Sequence, residues 1–173
     1  YNKFLNRIVK YKDLMRFKKE PAIQKAETVK KIQNFKVGNA KGHNKELILL
    51  FKKIFNEEMS QKFWNWKYNK SENHNLALYD ENNDILGYYG CMFRELYVFN
   101  KLTQSAQVCD TMIDPSVRGG KGKKSRLYQL ISTFGKTYVG ANKPYFLVYG
   151  FPNRRHMRVA ELFNLYTETD KII

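Results

Sequence analysis

The stretch DPSVRGGKGKKSRLYQL, residues 114–130, sets Arg118, Gly119, Gly120, Lys121, Gly122, Lys123, Lys124 and Ser125 between a segment with strand character and one with helix character. That placement has a use in anion chemistry. The first turn of a helix leaves backbone N–H groups unpaired and carries a partial positive charge, so it accepts phosphate oxygens. Glycines let successive N–H groups turn inward as a nest, and the flanking Arg and Lys side chains add charge. A pyrophosphate is the natural guest. The loop does not satisfy GxxxxGK[ST], and GGKGKK lacks GxGxxG, so neither the P-loop nor the dinucleotide-binding turn is present. The plainer alternative is an exposed basic turn.

Other residues carry chemical potential singly. Asp110 stands among apolar neighbours in VCDTMI, an unusual place for an acid. It reads as a general base, or as a carboxylate paired with a nearby Lys or backbone N–H. His156 reads as a proton donor, or as a polar residue in the first turn of a helix that Asn153 caps. Glu95 and Asp80 are weaker acid candidates, more naturally solvated strand-end or loop charges. Trp64, Trp66 and Tyr68 in FWNWKYN offer apolar area with a polar edge, suited to a substrate pocket and equally to core packing. Cys91 and Cys109 lack CxxC spacing and companion His residues, so no metal site is expected, and no His at readable spacing activates Cys109 as a nucleophile.

These residues need a scaffold to converge. A short strand near Phe35 to Val37 precedes a helix that Asn44 caps and that carries Leu47, Leu50, Phe51, Ile54 and Phe55 on one face. Leu76 to Tyr79 and Ile85 to Phe93, around the turn-rich DENND, read as an antiparallel hairpin whose second arm continues toward Leu96. A turn near Asn100 and Lys101 leads to a central strand from Gln104 to Ile113. After the basic loop, Leu127, Leu130, Ile131, Phe134 and Tyr138 recur at helical spacing. YFLVYG reads as a short buried strand, the segment after Asn153 as a helix with Met157, Ala160 and Phe163, and Tyr166 to Ile173 as a last strand. The order of elements implies a mixed sheet with helices packed on it.

At 173 residues the chain suits one domain with an appended segment. Residues 1–34 form that basic helical segment, and residues 35–173 the domain. The 43% hydrophobic and 15% aromatic content excludes a disordered chain. No apolar run approaches the roughly 20 residues of a transmembrane segment. The start shows no signal pattern, although residue 1 is Tyr, and a reducing cytoplasmic location is the default reading. The net charge of +15 points to an anionic partner: nucleic acid, an acidic membrane surface or a phosphorylated ligand. A compositional bias toward Lys, Asn, Tyr, Phe and Ile in the source produces the same charge.

Three segments in this order resemble the GNAT superfamily of acyl-CoA N-acyltransferases: FWNWKYN with LALYDENNDILGYYG, then VCDTMIDPSVRGGKGKKSRLYQLI, then YFLVYGFPNRRHMRVAELFNLY. The resemblance covers residues 35–173. It implies an α/β fold with a central mixed, mostly antiparallel sheet flanked by helices. It also implies acetyl-CoA or another acyl-CoA as co-substrate, no metal, and acyl transfer to a primary amine by direct attack. In that reading the loop from Arg118 to Ser125 holds the diphosphate, and pantetheine pairs with the backbone from Asp110 through Met112 and Ile113. Asn153 lies near the cofactor, and a backbone N–H of the central strand stabilises the oxyanion. Asp110 serves as base, His156 as acid, and Trp64, Trp66 and Tyr68 as the acceptor pocket.

This chain departs from the family pattern. Lys121 stands where the motif has its first glycine, Asn164 replaces the turn glycine, and Ala160 replaces the tyrosine that often acts as general acid. A single closing strand replaces the usual hairpin, so the domain is expected to lack its last strand. A homodimer stays open. The acceptor is not readable: small amine, amino sugar, peptide N-terminus and protein lysine all fit. The alternatives are a basic nucleic-acid-binding module without catalysis, which leaves the Asn153 segment unexplained, and a non-catalytic CoA-binding relative.

Overall fold

The computed structural model describes residues 34–120 and 122–169. The basic segment, up to residue 33, lies outside the described residues, as do Lys121 and the chain from residue 170 onward. In order, the elements are β1 (Lys36–Asn39), α1 (Asn44–Phe55), α2 (Gln61–Tyr68), β2 (Leu76–Tyr79), β3 (Ile85–Val98), β4 (Lys101–Ile113), α3 (Arg126–Tyr138), β5 (Leu147–Gly150) and α4 (Arg154–Leu162). The strands form one sheet in the order β1-β2-β3-β4-β5. All neighbours are antiparallel except β4 and β5, so the sheet is mixed and mostly antiparallel, as expected.

Alternation along the strands builds a core on each face. Ala77, Tyr79, Tyr88 and Met92 pack with Leu47, Leu50 and Phe51 of α1 and Trp64 and Tyr68 of α2. Leu76, Leu78, Tyr89 and Cys91 pack with Leu130, Ile131 and Phe134 of α3. Spacings of three and four along α1 and α3 put those apolar residues on one side of each helix. The start of α1 differs from expectation. His43 precedes the helix with no side-chain cap. Asn44 lies inside the first turn and accepts instead from the Trp64 indole N–H at 3.2 Å, because a buried indole needs an acceptor. Ser60 caps α2 by accepting from the Phe63 N–H at 3.2 Å.

One irregularity decides where the chemistry lies. Cys109 pairs with Gly90 and Met112 with Tyr88, so β4 carries one residue more than β3 between these rungs. Asp110 takes φ 41 within this bulge. An inserted residue reverses which side chains face which side of a sheet. Before the bulge Ala106 and Val108 pack toward α3, whereas after it Met112 packs with α1 and α2. The reversal turns Asp110 toward α2.

Gly90, opposite the bulge, cannot carry a side chain. A Cβ there would lie 2.3 Å from the Tyr88 ring, which is 1% exposed and has nowhere to move. Gly90→Ala is expected to cost about 1–3 kcal/mol, read as a lowered midpoint of urea unfolding. At the other end of the domain, the strand expected from Tyr166 does not form over Tyr166–Thr169. Asn164 takes the left-handed φ of 53 after α4, as the resemblance implied, and the chain then turns so that the Tyr166 hydroxyl meets that of Tyr89 on β3.

Candidate active site

The parallel ladder of β4 and β5 runs from Ser105↔Leu147 to Val108↔Gly150 and stops. β4 continues to Ile113, while the other chain leaves through Phe151 and Pro152, and proline has no N–H to extend a ladder. The strands therefore part, and a cavity of about 300 Å³ opens between them. Val108, Cys109, Asp110 and Thr111 line one wall and Gly150, Phe151, Pro152 and Asn153 the other. Phe55 at the end of α1, His156 on α4 and Tyr166 complete it.

Asp110 is bound into this cavity from α2. Its Oδ2 accepts from Lys67 Nζ at 2.5 Å and from the Tyr68 hydroxyl. Both members of the ion pair are mostly buried, at 14% and 16% side-chain exposure. The paired-carboxylate reading of Asp110 is thus realised, and the described contacts leave Oδ1 open to accept. Burial raises the Tyr68 phenol far above its usual value, with Tyr88 and Asp110 adding to the rise, so Tyr68 stays a donor.

His156 and Tyr166 form a second polar pair, their rings stacked at 6.0 Å. Asn153 accepts from the His156 backbone N–H at 2.9 Å, the helix cap read from the sequence. The His156 Nε2 is buried and has no hydrogen-bond partner. Burial lowers its pKa below the usual 6.5, so the ring favours its neutral form. Burial likewise raises the Tyr166 phenol, outweighing the opposite pull of the Tyr89 bond. The lowered His156 value has a stability consequence. Below pH about 6.5 the unfolded chain takes up a proton that the folded imidazole resists, so stability falls as pH drops through that range. His74, also lowered by burial, acts in the same direction. The melting temperature is expected to fall between pH 7.5 and pH 5.5, and the fall is expected to be smaller in His156→Gln.

The glycine loop follows the end of β4. Asp114 fixes its base: Oδ1 accepts from the Ser116 N–H at 2.9 Å and the Ser116 hydroxyl at 2.8 Å, and Oδ2 accepts from Lys53 Nζ at 2.5 Å. Arg118 Nε donates back to the Ile113 carbonyl at 2.9 Å. Gly120 takes φ +82, and a Cβ there would lie 2.7 Å from the Lys124 carbonyl oxygen. Gly119 and Gly122 also have positive φ. Lys123 and Lys124 are exposed, and Ser125 caps α3 by accepting from the Tyr128 N–H at 3.2 Å.

Asp110, Asn153 and His156 therefore meet at one cavity, and the residues from Arg118 to Ser125, with Lys121 outside the description, lead from the end of β4 into α3. The Met112 side chain is fully buried in the core, which leaves only its main chain for a ligand, and Ile113 is half-buried. The aromatic trio divides. Trp64 is 1% exposed and belongs to the core, which corrects its place in a substrate pocket. Trp66 is 69% exposed and stacks on Phe63 at 5.3 Å, outside the cavity lining. Tyr68 alone touches the site, through its hydroxyl. Asp80 holds the β2–β3 turn by accepting from Asn82 and Asp84 N–H groups, and Glu95 lies exposed along β3. Cys109 lines the cavity, but burial raises its thiol above the usual 9.0 and keeps it protonated.

Sequence reading missed Lys67, Phe55 and Tyr166. Lys67 sits inside FWNWKYN, where the aromatics around it carry the stronger signal, and the spacing of Phe55 marks it only as a helix-face residue.

No family model matches the chain, and no curated protein matches it significantly. Solved structures do. Glucosamine-6-phosphate N-acetyltransferase from Arabidopsis thaliana is similar over 82% of this chain and 97% of its own, with a TM-score of 0.57 and 10% identity. An aminoglycoside N-acetyltransferase in complex with CoA is similar over 81% of this chain and 91% of its own, with a TM-score of 0.53 and 14% identity. A GNAT family acetyltransferase from Staphylococcus aureus is similar over 82% of this chain and 97% of its own, with a TM-score of 0.50 and 14% identity. The chain has the GNAT acetyltransferase fold. In this GNAT fold the bulge of β4, the glycine loop, α3 and β5 follow one another along the chain. Among the described residues no helix is long and apolar enough to cross a membrane, and no group of His, Cys, Asp and Glu is placed to hold a metal ion.

Proposed function

We propose that this protein is an N-acyltransferase that moves an acetyl or other acyl group from CoA to a primary amine by direct attack. The observation that supports it most is the cavity between β4 and β5, walled by β4 backbone that has no partner on its β5 side and furnished with a carboxylate and a half-buried imidazole. A slot beside unpaired strand backbone suits a narrow chain of alternating amide and methylene groups such as pantetheine. The loop from Arg118 to Lys124 holds the diphosphate, its positive-φ glycines letting backbone N–H groups face it. Acetyl-CoA, when bound, supplies the activated acyl group as a thioester.

The residues of the chain then divide the work. Bulge backbone around Asp110 and Thr111 offers N–H groups to the charge that develops on the carbonyl oxygen. Asp110 Oδ1 accepts the proton of the incoming amine, while Lys67 and Tyr68 hold the carboxylate in place through Oδ2. Tyr166, kept protonated by burial and stacked on His156, donates to the leaving thiolate in the place that Ala160 leaves without a hydroxyl. Phe55 and Phe151 give the cavity apolar lining. Tyr166→Phe is expected to lower kcat by roughly 10²-fold while leaving acetyl-CoA affinity unchanged.

Thermal melting at physiological salt tests the reading. A ligand that binds the folded state raises the melting temperature by mass action. Acetyl-CoA is expected to raise it and a short oligonucleotide is not. A shift with the oligonucleotide alone would support the nucleic-acid module instead.

A further inference from the structure

β3 and β4 go on pairing past the point where either has another strand beside it. The last rung of β3 with β2 is Leu76↔Tyr89, and the first rung of β4 with β5 is Ser105↔Leu147. Beyond them, Glu95↔Gln104, Leu96↔Thr103, Tyr97↔Leu102 and Val98↔Lys101 form a two-stranded ribbon, on the order of 15 Å long at ~3.4 Å per residue. A hydrogen bond from the Phe146 N–H to the Gln104 carbonyl, 3.0 Å, marks its base.

Apolar side chains concentrate at the far end. Phe99 is 95% exposed, Tyr97 77% and Leu102 57%. Tyr97 and Leu102 are direct cross-strand partners and so share one face. Phe99 and Asn100 make the turn with φ 48 and 61, a two-residue connection that favours Asn or Gly at both positions. A bulky side chain in that conformation is an outlier. Neither folding nor solubility calls for a phenyl ring there, because it touches no core and disfavours its own turn.

We propose that this ribbon tip docks into the surface of an anionic lipid bilayer. Three side chains at an apex offer too little area for a stable protein contact, which takes about 800 Å² from each partner, whereas a whole aromatic side chain supplies only ~150–250 Å². A small apex of Tyr, Phe and Leu is instead suited to enter the headgroup region, where amphipathic rings are favoured. Charge favours the same occupant. A second copy at +15 is repelled, while an anionic leaflet attracts the whole chain. Lys101 lies beside the tip, and Glu95, the ribbon's carboxylate, is set back from it on the face of Tyr97. This inference stands independently of acyl transfer.

The full chain is sedimented at physiological salt with vesicles of phosphatidylcholine and phosphatidylglycerol, and with phosphatidylcholine alone. It is expected to pellet with the mixed vesicles only. Phe99→Gly is expected to weaken that partition at least about tenfold without lowering the melting temperature, since glycine suits the left-handed turn. The double variant Tyr97→Ser, Leu102→Ser is expected to weaken it likewise. Equal partition into neutral vesicles, no partition at all, or a Phe99→Gly variant that binds like the parent chain would overturn the proposal. So would a lipid-free dimer, seen by light scattering, that Phe99→Gly splits, or an oligonucleotide affinity that the same variant abolishes.

Discussion

Asp110→Asn is expected to lower kcat/KM for acyl transfer by roughly 10²–10⁴-fold, the usual contribution of a positioned base. It is also expected to cost about 3 kcal/mol of stability, because it strands the mostly buried ammonium of Lys67. The two effects separate in a second variant. Replacing Lys67 by Met together with Asp110→Asn removes the uncompensated charge, so the melting temperature recovers while turnover stays low. Recovery of turnover in the double variant would assign Asp110 to packing alone. Urea unfolding and steady-state kinetics on the same preparations read both quantities.

Gly120→Val is expected to raise the acetyl-CoA Kd about 10²-fold while lowering the melting temperature of the free protein only modestly, by the strain it puts on the loop. Gly120 is exposed, so the core does not feel the change. The loop does, since φ +82 disfavours a β-branched residue and the new Cβ would collide with the Lys124 carbonyl at 2.7 Å. A loop driven from this shape loses at least two N–H bonds to the diphosphate. At ~1.5 kcal/mol or more for each bond to a charged group, the loss corresponds to about two decades in Kd. Lys123→Ala, which removes one exposed charge, is expected to cost only a fewfold. Isothermal titration of the three proteins decides the order, and a Gly120→Val protein that binds like the parent would place the diphosphate elsewhere.

The regular elements were readable because their signals are local. Apolar runs on either side of the turn-rich DENND marked β2 and β3, 3.6-residue periodicity marked α1 and α3, and the run of glycine and lysine marked the loop. Asp110 stood out as an acid in an apolar strand. What decides its surroundings was hidden. The bulge has no glycine or proline to announce it, and the contact that defines the carboxylate joins Lys67 to Asp110, 43 positions apart. The roles of Trp64 and Trp66 turn on one omission. Residues two apart on a helix point to nearly opposite sides, so once FWNWKYN is read as helical the tryptophans cannot share a pocket. The residues around Tyr166 read as a strand, and nothing local in its neighbourhood tells of the Tyr89 hydroxyl on β3.

Backbone amide exchange with and without acetyl-CoA tests the placement of the cofactor most directly. Slower exchange confined to Cys109–Ile113 and to the loop between Arg118 and Ser125 is the predicted result. Unchanged exchange at both segments, with protection appearing on another face of the sheet, would contradict a CoA site between β4 and β5.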